Sequence, residues 1–506
     1  MTDGKRFYIT TAIDYANGPP HLGHALEKVG ADAMARYRRL LGQRVHFVMG
    51  LDEHGQKVAQ TAAQAGVTPQ EWTDGIAARF RQAWAELGIG NDDFIRTTEP
   101  RHRAAVEEMI RRMQAKGDLY RATYAGYYCV GCEAYKTEDE LVDGRCALHP
   151  GREIEWMEEE DWFFRLSAYR EPLLALIDRV DPPFVQPVAR RNEVRRMVEE
   201  IKDISVSRSL MPWGIPWPGD PQHTVYVWID ALTNYLSATG FPDPSYTETW
   251  PASVHVIGKD ITRFHCVYWP AMLMSADVPV QESVWAHGFM TMGGGKISKS
   301  AGVSFTLEEA VERHGAEALR FYLLREIPWD GDGSFSFDRF DERYNADLAN
   351  DLGNLANRVL SMVAKYRDAI VQPAARVELD EHADAAVRQY RAAMDANLLH
   401  EGVASAMRLV SQANASVSVA APWKLAKDPE QAAALDSVLA SLVRSLAVAA
   451  VLLSPFMPQR MAELWRRLGT GRAEMPLLDG VGAIDPAGWA VEPGEPLFPR
   501  YEPAKA

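Results

Sequence analysis

Several groups of residues in this 506-residue chain have types and spacings that could do chemistry. In Pro19-Pro20-His21-Leu22-Gly23-His24, two histidines stand three apart. The prolines break the chain there and an apolar helical pattern begins. A helix N-terminus points free backbone N–H groups at anions. Two imidazoles on that first turn could both face a phosphate chain, and Gly23 has no Cβ to keep a flat base away. In Gly293-Gly294-Gly295-Lys296-Ile297-Ser298-Lys299-Ser300, a glycine loop carries two lysines three apart. Two such cations could close on a polyphosphate. It is not a Walker A loop: Met290 stands where glycine is required, and Ile297 where Ser or Thr should follow the lysine. Alone, each motif also fits a plainer reading: ordinary surface histidines, and a flexible basic loop.

Cys129, Cys132, Cys146 and His149 form C-x2-C-x13-C-x2-H. That spacing can close a tetrahedral Cys3His zinc site. With all four positions filled by protein, the zinc is expected to be structural. Four cysteines in all are too few for a disulfide scaffold. Cys266, in an apolar stretch, reads as core. Further on, Asn350, Asn354 and Arg358 lie four apart, which puts them on one helix face, and Pro422-Trp423 is followed by Lys424 and Lys427. A solvated polar face and a packed tryptophan are the plainer readings there.

The elements that must position these groups follow from hydrophobic periodicity. Phe7–Ile13 and Val45–Met49 read as strands. Leu22, Leu26, Val29, Ala33, Tyr37 and Leu40 fall on one helical face, with Gly42 as the stop, and another helix pattern begins near Gln56. Strand, helix, strand, helix predicts a parallel sheet covered by helices. Residues 119–222 lose that pattern and read as an insertion. Strand-like runs resume at Thr224–Ile229 and Val254–Ile257. Beyond about Asn345 the chain is helix-patterned and alanine-rich. The expected division is 1–118 and 223–325 for the two halves of an α/β domain, 119–222 for the insertion, 326–344 for a linker, 345–480 for a helical domain and 481–506 for an extended tail.

The chain is 47% apolar and 24% charged, which excludes a disordered or fibrous protein. Net charge is −15, so no global basic surface advertises nucleic acid. The N-terminus shows no signal-peptide pattern. Leu446–Leu453 is too short to cross a bilayer and reads as a buried helix. A soluble cytoplasmic protein without a membrane partner is expected.

HLGH paired with KISKS about 275 residues later resembles the signature of class I aminoacyl-tRNA synthetases. The chain resembles the methionyl-tRNA synthetases within that class over nearly its whole length. The resemblance implies a Rossmann-like parallel-sheet catalytic domain split by a zinc-knuckle insertion, then an α-helical anticodon-binding domain. It implies ATP, L-methionine and tRNA(Met) as partners, Mg²⁺ with ATP, one structural Zn²⁺, and a monomer without an appended dimerisation module. His21, His24, Lys296 and Lys299 would be catalytic, and with Gly23, Gly258 and Asp260 they would bind ATP. Asp52 would pair with the substrate ammonium. Ala12, Ile13, Tyr15, Trp228, Ala231, Leu232, Tyr235, Ile261 and His265 would line the side-chain pocket. Without the resemblance, Trp228 and Tyr235 read as core packing. Ile13 and Leu232 depart from the family's usual Leu and Pro, which leaves the fine shape of the pocket open. Asn350, Asn354, Arg358, Pro422 and Trp423 would face the CAU anticodon. Residues 341–450 hold 11 Lys/Arg against 14 Asp/Glu, so binding there must be directed readout of unstacked bases.

Rival readings fit less well. Leucyl, isoleucyl and valyl enzymes carry a much larger editing insertion than 119–222. A cysteinyl enzyme would hold zinc in its catalytic pocket. A small-molecule nucleotidylyltransferase shares an HxGH motif but has no need of the helical domain. A tRNA-binding scaffold would not need HLGH and KISKS intact.

Overall fold

The computed structural model describes residues 4–129, 134–136, 141–147, 150–151, 154–209, 211, 213–292, 295–296 and 305–502. Cys132, His149 and Lys299 lie outside the described residues, as do most of the glycine loop and the side chain of Lys296.

A seven-stranded parallel sheet forms the catalytic domain. Its order is Val185–Gln186, Val284–His287, Val254–Gly258, Arg6–Thr11, Arg44–Asp52, and Asp14–Tyr15. Asp93–Arg96 also pairs with Arg44–Asp52. Ile9 lies between Phe47 on one neighbour and Val254 on the other. Alternate residues point to opposite faces of a strand, and both faces are covered. Ile9, Phe47 and Val256 join one apolar core, while Tyr8, Val48 and Ile257 join another. The first core runs on into the helical domain through Leu319, Leu355 and Leu446.

The helix Leu22–Leu40 buries Leu22, Leu26, Val29, Ala33 and Tyr37, the face its periodicity predicts. It also docks the two domains. Asp32 on this helix accepts a 2.6 Å hydrogen bond from Arg320 Nη2, and Arg320 Nε donates to the Phe456 carbonyl. The Tyr37 hydroxyl donates to Asp395 at 2.7 Å. Gly30 is required here: a Cβ would stand 2.1 Å from the Trp329 ring.

The structure corrects four sequence expectations. The strand-like run Thr224–Ile229 is divided: a strand ends at Val225 and a helix spans Val227–Ser237. A short apolar run does not tell a buried helix from a strand. The segment 119–222 contributes Val185–Gln186 to the edge of the parallel sheet, two residues too few to leave a pattern. The rest of that segment includes an antiparallel pair, Leu119–Cys129 with Glu155–Phe164. Asn350, Asn354 and Arg358 do not share one regular α-helix. Tyr344–Gly353 is a wider π-type turn, and the α-helix proper is Asn354–Arg367. Residues 481–502 contain little regular structure but are docked. Val491, Leu497 and Phe498 are buried, and Tyr501 packs edge-on to His314 at 4.6 Å.

The helix Ala432–Leu453 is long and apolar enough to span a membrane, yet most of it is buried inside the helical domain. Its apolar surface is a core, as the run Leu446–Leu453 suggests.

Candidate active site and anticodon interface

The site is built at the carboxyl ends of the parallel strands. His21 caps the helix Leu22–Leu40 in extended backbone geometry. His21 Nδ1 accepts hydrogen bonds from the backbone N–H groups of Gly23 and His24, at 3.1 and 3.3 Å. His24 Nδ1 accepts the N–H of His21 at 3.3 Å. This is a capping box made of two imidazoles. An accepting Nδ1 carries no proton, so in both neutral rings the proton sits on Nε2. Burial, then Lys28, push His24 down to about 3, which keeps it neutral. The rings stack with centroids 3.6 Å apart. The cap thereby orders two donor-bearing imidazoles at a helix N-terminus, a site suited to phosphate oxygens.

Behind the cap lies a buried charged cluster. Lys28 Nζ reaches Asp14 Oδ1 and Glu27 Oε1, both at 2.7 Å, and the carbonyl of Ala12 at 3.0 Å. Burial alone would raise Glu27, but Lys28 and His287 outweigh it and bring Glu27 down to about 2. Burial outweighs Lys28 at Asp14, which rises to about 6. This cluster ties the motif helix to the segment that carries Ala12 and Ile13.

Beside the cap is a cavity of about 280 Å³. Ala12, Ile13, Tyr15, Asp52, Trp228, Ala231, Leu232, Tyr235, Ile261 and His265 line it, so the structure gathers all ten sequence-predicted pocket residues. Asn17, Lys57 and Val227 also line it and escaped the sequence reading. Phe264, also missed, backs the wall: its ring stacks on Trp228 at 3.6 Å, with only 4° between planes. The only signal for it was its place beside His265 in an already conspicuous block.

In the cavity lining, the Tyr235 hydroxyl is 2.6 Å from His265 Nε2. His265 Nδ1 is 3.0 Å from the Ile261 carbonyl, which can only accept. Nδ1 therefore carries the proton, Nε2 accepts, and Tyr235 donates. Burial pushes His265 down to about 4 and Tyr235 well above its usual value, so both stay neutral. The result is an aromatic pair that carries no charge. Asp52, 9% exposed, closes the strand Arg44–Asp52 and lines the same cavity. Neutral aromatic groups and a carboxylate facing one cavity suit an amino acid with an apolar side chain and an ammonium group.

Gly258 ends the strand Val254–Gly258 and Asp260 follows on an exposed turn. They are placed at the strand end but do not line the cavity. Gly295–Lys296 forms a short strand paired with Met290–Met292. Cys129 and Cys146 end strands of the insertion and are both buried. Among the described residues no group of three or more His, Cys, Asp or Glu forms a metal site. The other two candidate ligands, Cys132 and His149, are outside those residues.

In the helical domain, Arg358 and Trp423 line one hollow with Asn357, Ser361, Met362 and Tyr366. Asn350 and Asn354 are exposed nearby in sequence but do not line it. Pro422 is buried at the start of the short helix that presents Trp423. Asn357 was missed. Its Oδ1 is buried and has no hydrogen-bond partner among the described residues, leaving an acceptor beside Arg358.

Residues 7–153 and 139–360 match the family model described as tRNA synthetases class I (M). Residues 371–503 match the anticodon binding domain of methionyl tRNA ligase. The fold and site thus define a class I aminoacyl-tRNA synthetase. Methionine--tRNA ligase from Brucella suis is 44% identical over 98% of both chains. The Bacillus subtilis ligase is 41% identical over 99% of this chain and 78% of its own length. The structure of Mycobacterium tuberculosis methionyl-tRNA synthetase in complex with methionyl-adenylate superposes with a TM-score of 0.94. It is 41% identical, over 98% of this chain and 100% of that one. The chain belongs to the methionyl-tRNA synthetase family.

Proposed function

We infer that the protein activates L-methionine with ATP and transfers the methionyl group from the adenylate to the 3′ end of tRNA(Met), serving translation. The observation that carries this reading is the cavity lining: the Asp52 carboxylate, the neutral Tyr235–His265 pair and the Trp228 ring face one space. A thioether is polarizable and packs well on aromatic rings. The neutral pair admits it without stranding a charge.

In the first step a methionine carboxylate oxygen attacks the α-phosphorus of ATP. The new P–O bond replaces the bond to pyrophosphate, which leaves. Such a transfer depends on positioning and charge stabilisation. Asp52 holds the ammonium, which orients the carboxylate. His21 and His24 donate their Nε2 protons to phosphate oxygens. Gly23 leaves room for the nucleotide, and Gly258 and Asp260 take the adenosine. Lys296 and Lys299 close on the departing pyrophosphate, which enters as the Mg²⁺ complex of ATP. Arg358 and Trp423, with Asn350, Asn354 and Pro422 on neighbouring surface, read the anticodon. A cytoplasmic monomer is part of the same reading.

The test is ATP–pyrophosphate exchange across all twenty amino acids. Methionine alone should drive it, with homocysteine far behind. One methylene is worth only about 1–3 kcal/mol, so homocysteine is the near-cognate to watch. Cysteine or leucine as the best substrate would overturn the pocket assignment.

Zinc belongs to the same proposal. The buried thiols of Cys129 and Cys146 are soft donors of the kind zinc prefers. With Cys132 and His149 they make a closed ligand set, and the ion would hold the insertion together without entering the chemistry. Metal analysis on protein purified without chelator should give about one zinc per chain, and Cys146→Ser should release it. A zinc-free wild type refutes the site.

A further inference from the structure

The pocket must engage both the ammonium and the side chain of methionine, and the residues for the two belong to different elements. Asp52 ends a strand, whereas Trp228, Ala231, Leu232 and Tyr235 share the helix Val227–Ser237. Asp230 is on that helix, fully buried, and does not line the cavity. Its Oδ2 is 2.6 Å from His54 Nδ1, and its Oδ1 is 2.6 Å from His102 Nε2. His54 lies two residues beyond Asp52. His102, on the helix Pro100–Ala115, places its Nδ1 2.8 Å from Ser237 Oγ, at the end of the pocket helix.

We propose that Asp230 is a positioning residue for methionine: through His54 it sets the separation between the ammonium anchor Asp52 and the side-chain pocket. This rests on the methionine reading above.

The carboxylate can only accept, so each imidazole donates to it, and such charge-assisted bonds are short and strong. Burial opposes the charge, but His54 and then His102 outweigh it and bring Asp230 down to about 2. The loop after Asp52 is also held on its far side. Arg96 Nε donates to Glu53 at 2.6 Å, and Trp213 Nε1 donates to the Glu53 carbonyl at 2.5 Å. These contacts bind the loop to the neighbouring strand Asp93–Arg96 and to Trp213 of the insertion, while Asp230 binds it to the pocket helix. A misplacement of about 1 Å at a reacting site can cost on the order of 100-fold.

Asp230→Asn keeps the shape but offers one acceptor where two donors point. In ATP–pyrophosphate exchange it should raise the methionine KM at least about tenfold and leave the ATP KM within about twofold. Combined with Asp52→Asn, the loss should not add, because the anchor that Asp230 positions is already gone. A merely structural Asp230 would instead give additive losses, or raise both KM values together; either result overturns the proposal. If Asp230→Asn does not fold, His54 carries the test. His54→Asn keeps an N–H near the place of Nδ1 and should retain a methionine KM within about threefold, whereas His54→Ala should raise it about as much as Asp230→Asn. Equal values for the two would refute the role. Wild-type exchange is measured first. No methionine dependence there refutes the activity, whereas a methionine-dependent wild type with additive double variants refutes only the role of Asp230.

Discussion

Replacing Asp52 with alanine should reduce kcat/KM for methionine activation by roughly 30- to 5,000-fold. The range follows from the cost of stranding one partner of a desolvated charge pair, about 2–5 kcal/mol, at about 1.4 kcal/mol per tenfold. Asp52 is nearly buried and lines the cavity with Ala12, Ile13 and Tyr15. A methionine ammonium entering there loses water on both sides. Without the carboxylate it has no counter-charge, and the substrate carboxylate is no longer aimed. The defect should therefore reach kcat as well as KM. Alanine also leaves the aromatic lining untouched: Trp228 still stacks on Phe264, and Tyr235 still donates to His265. The ATP KM should change little, since the imidazoles proposed to hold the phosphates belong to the HLGH cap. Steady-state exchange kinetics, with methionine and ATP varied in turn, check each part. Unchanged methionine constants in this variant would remove Asp52 from the site.

How much of this could be read in advance differs by element. The helix Leu22–Leu40 was legible because its buried face repeats every three to four residues over five turns. Strands Arg6–Thr11 and Arg44–Asp52 were legible as apolar runs between breakers. The ten cavity residues came from four short blocks whose resemblance to one family was specific. The Asp230 network was not legible. Its members, at 54, 102 and 230, share no periodicity, and only the packing of strand end, helix and helix brings them together. Nor was the wide turn Tyr344–Gly353, because ten residues are only about two turns, too few for its longer period to stand apart from that of an α-helix. Asn357 was passed over for the same reason: counting by fours from Asn350 selected Asn354, while the hollow is lined by its neighbour three residues on. Long-range pairing and irregular turns are tertiary properties, and short-range patterns do not encode them.

Trp423→Ala should separate the two halves of the reaction. Trp423 is 41% exposed, among the few large apolar side chains left in contact with solvent, and it stands over a hollow with Arg358, Asn357 and Tyr366. The surrounding domain carries no excess of positive charge, so a nucleic acid held there must be held by stacking and hydrogen bonds. Stacking one base on an aromatic side chain is worth about 1–3 kcal/mol. That corresponds to roughly 5- to 150-fold, and tRNA charging kcat/KM should fall by that factor. ATP–pyrophosphate exchange should stay near wild type, because the methionine cavity is lined wholly by residues of the catalytic domain. Arg358→Ala should behave alike. Changing the CAU anticodon should hurt the wild type more than either variant, since each variant has already lost part of the readout. A Trp423 that serves only packing predicts the opposite set of results. The melting temperature would drop, charging and exchange would decline together, and the anticodon change would cost wild type and variant equally. Charging, exchange and melting measured on one preparation of the variant decide between the two.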